Sequence, residues 1–98
     1  MNVKIQSVKF DADIKLVEFV ENKLEKMSKF AENAISAEVI LKLDKDNDRG
    51  NKVATIKLEL PGSELFAEHR SKTFEESVDE TVVALKKQLE KYKEKHKE

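Results

Sequence analysis

From about residue 14 onward, the spacing of the apolar residues changes twice along this chain of 98 residues. It is helical between about residues 14 and 31, alternating between about residues 37 and 69, and helical again from about Thr73 to Lys97. A spacing of about 3.6 residues indicates an amphipathic helix, and alternation indicates a strand with one buried face. The apolar face of the first helix consists of Ile14, Val17, Val20, Leu24, Met27 and Ala31. The chain therefore needs an architecture in which two helices and several strands share one core.

The start of the first helix is marked by polar and aromatic residues. Phe10 is expected to anchor the connection from the preceding segment. Asp11 or Asp13 can cap the helix, because a carboxylate accepts hydrogen bonds from the amides of the first turn. Phe19 and Phe30 are expected to flank the apolar face.

Four segments have the properties of strands. Residues 2–8 alternate weakly, whereas residues 37–43 and 52–60 alternate strongly. The run at 44–51 between the strong segments is rich in turn-forming residues. Pro61 and Gly62 mark a second turn, after which residues 65–69 form a short fourth strand.

The predicted order of elements is β-α-β-β-β-α. A helical crossover places the first two strands parallel, and the later strands follow as antiparallel hairpins. Both helices then cover one face of a four-stranded sheet. We predict a single α+β domain, arranged like a double-stranded-RNA-binding domain.

The composition excludes several classes of protein. Charged residues make up 40% of the chain, but the net charge is only -1, so any basic surface is local. The absence of cysteine excludes disulfides, zinc–thiolate sites and cysteine nucleophiles. The N-terminus has no signal-peptide pattern, and no apolar run approaches the roughly 20 residues that span a bilayer. We expect a soluble cytoplasmic protein that does not associate with membranes.

Few residues have the chemistry or the spacing of a catalytic site. His69 and His96 fall in different elements, and the sequence places no nucleophile or carboxylate beside either. Gly50 and Gly62 are isolated, so no phosphate-binding loop is indicated. We expect no catalytic residues, no cofactor and no small-molecule substrate, and therefore no enzyme.

The aspartates of the hairpin loop resemble the start of a calcium loop. Asp44, Asp46 and Asp48 alternate as calcium ligands do. However, Arg49 stands where such a loop needs glycine, and no helix flanks it. We predict a solvated hairpin and no metal site.

Lysines on the two helices are the strongest chemical signal. Four of them fall within about 120° of the circumference of the first helix: Lys15, Lys23, Lys26 and Lys29. The second helix is acidic at its front, and its rear carries Lys86, Lys87, Lys91, Lys93, Lys95 and Lys97. If both helices cover the same side of the sheet, the two sets form one basic patch.

Two explanations fit these lysines. Lys–Glu pairs four residues apart, and a basic end that suits the helix dipole, would only make exposed helices soluble. Alternatively, the patch binds the phosphates of RNA. Tyr92 is the only aromatic residue nearby in the sequence. We therefore expect recognition of RNA shape and backbone rather than base stacking.

At this point the sequence resembles a known family over almost its whole length. The segments that carry the resemblance are FVENKLEKMSKF, AEVILKLDK and FEESVDETVVALKKQLEKYKEK. The most specific part is the pair Val78–Asp79 followed by KKQLEKYKEK. Together with the order of elements, these segments resemble the short ribosome hibernation-promoting factors of the sigma-54 modulation protein/ribosome-associated inhibitor family.

The resemblance implies a non-enzymatic function. Family members bind the decoding region of the small ribosomal subunit, contact ribosomal RNA, and block the messenger and transfer RNA sites during starvation or stationary phase. The basic positions carried over are Lys23, Lys26, Lys86, Lys87, Lys91, Lys93 and Lys95. Lys29 joins them as a predicted RNA-binding residue only through its position on the helix face. Away from the ribosome we expect a monomer.

The chain departs from the family at two points. Family members often carry a charged pair where this chain has Val83 and Ala84, so we expect one phosphate contact to be missing. Long members add a C-terminal dimerisation domain, whereas this chain stops at Glu98. We expect one ribosome-binding domain over residues 1–98, with a frayed tail from about residue 94. Pairing of ribosomes would then need a separate factor or a ribosome rearrangement.

An alternative function is that of a protein-interaction module. The sheet face opposite the helices carries Ile40 and Val53 among charged residues, which would suit a docking surface. The family name suggests regulation of a transcription factor by such a surface.

Overall fold

The computed structural model describes residues 1–45 and 50–95. Its elements follow the predicted order: β1 (Asn2–Val8), α1 (Ile14–Ser28), β2 (Ser36–Leu43), β3 (Lys52–Leu60), β4 (Ser63–Ser71) and α2 (Phe74–Lys95). The expected α+β architecture is confirmed. The predictions for Asp46, Asp48, Arg49, His96 and Lys97 lie outside the described residues, and so does the end of the predicted tail.

The four strands form one sheet in the order β1-β2-β3-β4. The β1 strand is parallel to β2, and the other pairs are antiparallel. The β4 strand is longer than predicted because it pairs with β3 from Ser63 opposite Leu60 to Ser71 opposite Lys52. Backbone hydrogen bonds form this ladder, so it continues past the end of the apolar alternation.

One face of the sheet and both helices enclose the core. The register places Val39, Ile56 and Ala67 side by side on this face, and all three are buried. The helices contribute the buried residues Leu16, Val20, Leu24, Met27, Phe74, Val78, Val82, Leu85 and Leu89. Burial of this continuous apolar surface is what holds the two helices on the same face. Neither helix in the described ranges is apolar enough over a sufficient length to cross a membrane.

The prediction that Ile14 belongs to the core was wrong. Its exposed fraction is 67%, whereas Leu16 is only 8% exposed. At about 100° per residue, Ile14 lies roughly 120° from the middle of the stripe formed by Val20, Leu24 and Met27. Leu16 lies much nearer that middle and takes the position expected of Ile14.

Capping and aromatic contacts fix where both helices begin. The Asp13 carboxylate accepts a hydrogen bond from the backbone N–H of Leu16 at 2.8 Å, which confirms one of the two predicted caps. Thr73 caps α2 in the same way, because its hydroxyl accepts from the N–H of Glu76 at 3.1 Å. Phe10 stacks on Phe74 with ring centroids 4.5 Å apart, so it anchors the start of α1 against α2 as expected.

The two helices run in the same direction. Lys23 of α1 contacts Asp79 of α2, and seven residues further along each chain segment Phe30 contacts Lys86. Seven residues are close to two helical turns, so both contacts fall on the same side of α2. This parallel arrangement brings the C-terminal ends of α1 and α2 to the same end of the molecule.

Candidate RNA-binding surface

The eight predicted RNA-binding lysines all lie on α1, on α2 or at the end of α1. Seven are within the helices as described: Lys23, Lys26, Lys86, Lys87, Lys91, Lys93 and Lys95. Lys29 is the C-cap of α1, because the helix ends at Ser28 rather than near Ala31. The lysine set is therefore carried by the helical layer, as expected.

One row of charged residues on α2 faces α1. Asp79, Lys86 and Lys93 are spaced seven residues apart and therefore share one side of the helix. The Lys23 ammonium lies 2.6 Å from the Asp79 carboxylate. The Lys86 ammonium lies over the Phe30 ring, 4.7 Å from its centroid. A lysine of each set thus contacts the other helix or its end. Lys23 contacts Asp79 of α2, and Lys86 contacts Phe30 just after α1.

The meeting continues at the C-terminal ends of the helices. Lys29 and Lys93 line one hollow of about 460 Å³ together with Phe30 and Tyr92. This hollow is the place where a lysine next to α1 and a lysine of α2 converge. It supports the expectation that the two sets become neighbours.

Lys91 and Lys95 lie on the opposite side of α2. The Gln88 side-chain amide donates to the Phe66 carbonyl of β4 at 2.7 Å, which fixes this side of the helix over the edge of the sheet. Lys91 and Lys95 line a shallow hollow with Ser63 and Leu65 of β4. These two lysines therefore do not share the groove between the helices, and the basic surface has two rows separated by the outer ridge of α2.

The ridge and its neighbourhood hold Val83 and Ala84, the two residues that were expected to depart from the family. Val83 is 53% exposed and Ala84 is half-buried. They line a shallow hollow with Lys87 and His69. His69 is half-buried, as expected for a partly packed histidine, and its Nδ1 is a buried nitrogen that makes no hydrogen bond. Val83 and Ala84 thus place apolar side chains among the charged residues Asp79, Glu80 and Lys87.

Exposure separates the lysines by their availability to RNA. Lys23 and Lys86 are only partly exposed and contact Asp79 and Phe30. The exposed members are Lys26, Lys29, Lys87, Lys91, Lys93 and Lys95. A phosphate would reach these six without displacing a contact described above for Lys23 or Lys86.

Phe30 is a candidate site residue that the apolar pattern does not predict. The pattern places it beside the core stripe, but the residue is 49% exposed. It follows the end of α1, so the helical geometry used for the prediction does not apply to it. Phe30 belongs to the site because the turn after α1 lies beside the end of α2, where Phe30 and Tyr92 line one hollow.

The open face of the sheet differs from the predicted docking surface. Val53 is only 6% exposed, so the expectation that it offers a docking contact was wrong. It lies between Lys42 and Arg70 in the strand register. The Arg70 guanidinium donates to Asp44 at 2.7 Å and to the Gly50 carbonyl at 3.2 Å, and these bonds hold its side chain across this end of the sheet.

The contact with Arg70 also changes the acidity of Asp44. The hydrogen bond from Arg70 is the main cause that lowers the pKa of this carboxyl, and a bond from the backbone N–H of Lys45 acts in the same direction. Asp44 is the described part of the predicted calcium-like run. In the described ranges no cluster of three or more metal-ligating acidic or histidine side chains occurs.

Solved structures with the same fold include proteins from two bacteria. A ribosomal subunit interface protein from Coxiella burnetii is 26% identical, with a TM-score of 0.83; the alignment covers 95% of this chain and 98% of that protein. The N-terminal domain of Protein Y from Thermus thermophilus is 22% identical, with a TM-score of 0.78, covering 94% of this chain and 99% of that domain. At that identity, the second similarity shows the fold alone. No match was found among curated protein sequences.

The family comparison covers nearly every residue of the surface described above. Residues 3–97 match the family described as sigma 54 modulation protein / S30EA ribosomal protein. The match includes both helices, the hollow between their ends and all eight lysines. The chain therefore belongs to the sigma-54 modulation protein / S30EA ribosomal protein family.

Proposed function

We propose that this protein is a ribosome-associated hibernation factor that binds the small ribosomal subunit at its decoding region. The observation that carries the proposal is that residues 3–97 match a family whose description names a ribosomal protein. The similar protein from Coxiella burnetii is a ribosomal subunit interface protein, which fits the same role. Binding to a ribosome in the cytoplasm would be its activity, with no chemical step.

The helical layer would contact ribosomal RNA. Its lysines are concentrated on one side of a protein whose net charge is only -1, so attraction to RNA depends on this surface rather than on the whole molecule. Each ammonium that replaces a condensed counterion at a phosphate strengthens binding and makes it sensitive to salt. The two rows, on either side of the α2 ridge, suit two neighbouring stretches of RNA backbone.

Occupation of the decoding region would inhibit translation by exclusion. A protein with a Cα radius of gyration of 13.5 Å that is seated there would occupy space needed by messenger and transfer RNA. Bound under starvation or in stationary phase, it would keep ribosomes inactive until it dissociates. The monomeric domain would be sufficient for this block.

Sedimentation of stationary-phase lysate tests the proposal. The protein should migrate with small subunits or whole ribosomes, and raising the salt concentration should release it. Recovery only in the soluble fraction would refute the proposed function. A cell-free translation assay with added protein should show less initiation, and a variant with Lys29, Lys91 and Lys93 all replaced by alanine serves as the control.

Digestion with nuclease separates this function from the protein-interaction alternative. A complex held by RNA should dissociate when the RNA is digested. A complex with a protein docked on the open sheet face should survive digestion. Survival would favour the alternative function.

A further inference from the structure

The hollow between the ends of the two helices combines aromatic rings with positive charge. Its lining residues are Lys29, Phe30, Glu32, Asn33, Tyr92 and Lys93. The first four come from the turn after α1 and the last two from α2. It is an open hollow of about 460 Å³.

The Phe30 ring is held at this hollow and remains accessible. The Lys86 ammonium lies over the ring, 4.7 Å from its centroid, and this cation–π contact ties the turn after α1 to α2. Nearly half of the Phe30 side chain is nevertheless exposed. An apolar ring that is positioned from one element and left open to solvent is suited to bind a flat apolar surface.

The remaining groups in the hollow match the other parts of a nucleotide. Lys29 and Lys93 are exposed cations that can contact a phosphate. Glu32 and Asn33 are exposed and carry hydrogen-bonding groups of the kind that read the edge of an unstacked base. A stretch of phosphate backbone alone would make no use of Phe30 or Glu32.

We propose that this hollow binds one unpaired nucleotide of the RNA, with its base stacked on Phe30 and its phosphate at Lys29 and Lys93. The inference rests on the proposed function, since it names the part of the RNA that this end of the molecule contacts. It also changes the expectation that stacking plays little part. Single-stranded RNA is recognised chiefly through splayed bases stacked on aromatic side chains.

A tryptophan placed in the hollow tests this inference directly. The chain contains no tryptophan, so Phe30→Trp introduces a single indole fluorophore. A stacked base should quench most of its emission when purified small ribosomal subunits are added. Phe66→Trp is the matched control, because Phe66 is 53% exposed but lies on the open face of the sheet. Its emission should not change.

The outcomes distinguish this inference from the proposed function. Binding of both variants and wild type to subunits in sedimentation, without quenching at position 30, would overturn the nucleotide site and leave the ribosomal function intact. Failure of the wild-type protein to bind subunits would refute the ribosomal function itself. Quenching at position 30 but not at position 66 would support both the nucleotide site and the ribosomal function.

Affinity measurements give a second readout that does not depend on fluorescence. Phe30→Ala should weaken binding to small subunits by about 5-fold to 100-fold, the range found for loss of one stacked base. It should leave the dependence of the binding constant on salt unchanged. Lys93→Ala should reduce that dependence by roughly one unit of log–log slope. Unchanged affinity of Phe30→Ala would contradict the inference.

Discussion

At the scale of single residues, Gly50 is constrained by the backbone of the neighbouring strand. Its φ is +107°, and a Cβ at this position would lie 2.2 Å from the Ser71 carbonyl oxygen. Gly62 also has a positive φ, of +71°, but a Cβ there would meet nothing within 4 Å. The two glycines therefore separate the cost of backbone conformation from the cost of a steric clash.

Alanine substitution at these two positions should give different losses of stability. Gly62→Ala should reduce the free energy of unfolding by about 1–2 kcal/mol, which is the cost of a left-handed conformation. Gly50→Ala should reduce it by about 3 kcal/mol or more, because strand backbone must also move. Urea denaturation of both variants measures the difference. Equal losses would mean that the approach of Gly50 to Ser71 is not tight.

Asp44 should make stability depend on acid pH. Because Arg70 lowers the pKa of this carboxyl in the folded protein, the ionised form favours folding. This contribution is complete above the unfolded pKa of about 3.9 and is lost as the pH falls through the lower folded pKa. The difference in unfolding free energy between wild type and Asp44→Asn should therefore narrow below about pH 4. A difference that stays constant from pH 6 to pH 3 would contradict this account.

At the scale of elements, the sequence predicts the order and type of every helix and strand because hydrophobic periodicity reports which face is buried. It also predicts the cap of α1, since Asp13 satisfies an amide of its own first turn, whereas the cap of α2 by Thr73 is seen only in the structure. Local spacing does not decide which residues at the ends of the apolar stripe are buried. Ile14 has the right spacing from Val17 but lies too far around the helix, so only the packed structure shows that Leu16 replaces it.

The candidate site is predicted less completely than the fold. The lysines can be assigned to helix faces from local spacing. Which side of α2 faces α1 depends on a contact between elements, such as Lys23 with Asp79, that local spacing does not contain. For the same reason, the sequence does not show that Phe30 and Tyr92 line one hollow.

The contact between Lys23 and Asp79 predicts a competition between the two helices and the RNA. Asp79→Asn should strengthen binding to small subunits, because it removes a negative charge and frees the Lys23 ammonium. The free energy of unfolding should change by less than about 1 kcal/mol, since the pair is partly exposed. Glu38→Gln on the sheet is the charge-matched control. Weaker binding of Asp79→Asn would show that the ion pair positions α1 for the RNA.

The separate row on α2 gives a second prediction at this scale. If Lys91 neutralises a phosphate, Lys91→Ala should weaken binding and lower the log–log salt slope by about 1. Lys4→Ala is the matched control, because Lys4 is exposed on the opposite side of the sheet. An unchanged slope for Lys91→Ala would restrict the RNA contact to the row facing α1.

At the scale of the whole molecule, the fold separates two faces with different chemistry. The four strands form one sheet, and both helices cover one side of it and leave the other side open. The lysines of the site lie in the helical layer among exposed glutamates such as Glu25 and Glu90, whereas the open face carries the exposed Phe66 and none of these lysines. A protein with this asymmetry and almost no net charge should bind RNA in one orientation only.

This orientation can be measured with probes attached to single cysteines, because the chain has none of its own. Glu90→Cys places a probe on the exposed ridge of α2, and Gln6→Cys places one on the exposed side of β1 away from the helices. An iron chelate that generates hydroxyl radicals should cut small-subunit RNA strongly from position 90 and weakly from position 6. Both variants should sediment with the subunits as wild type does, so that cleavage reports orientation rather than affinity. Strong cleavage from position 6 with none from position 90 would mean that the open face, and not the helical layer, faces the RNA.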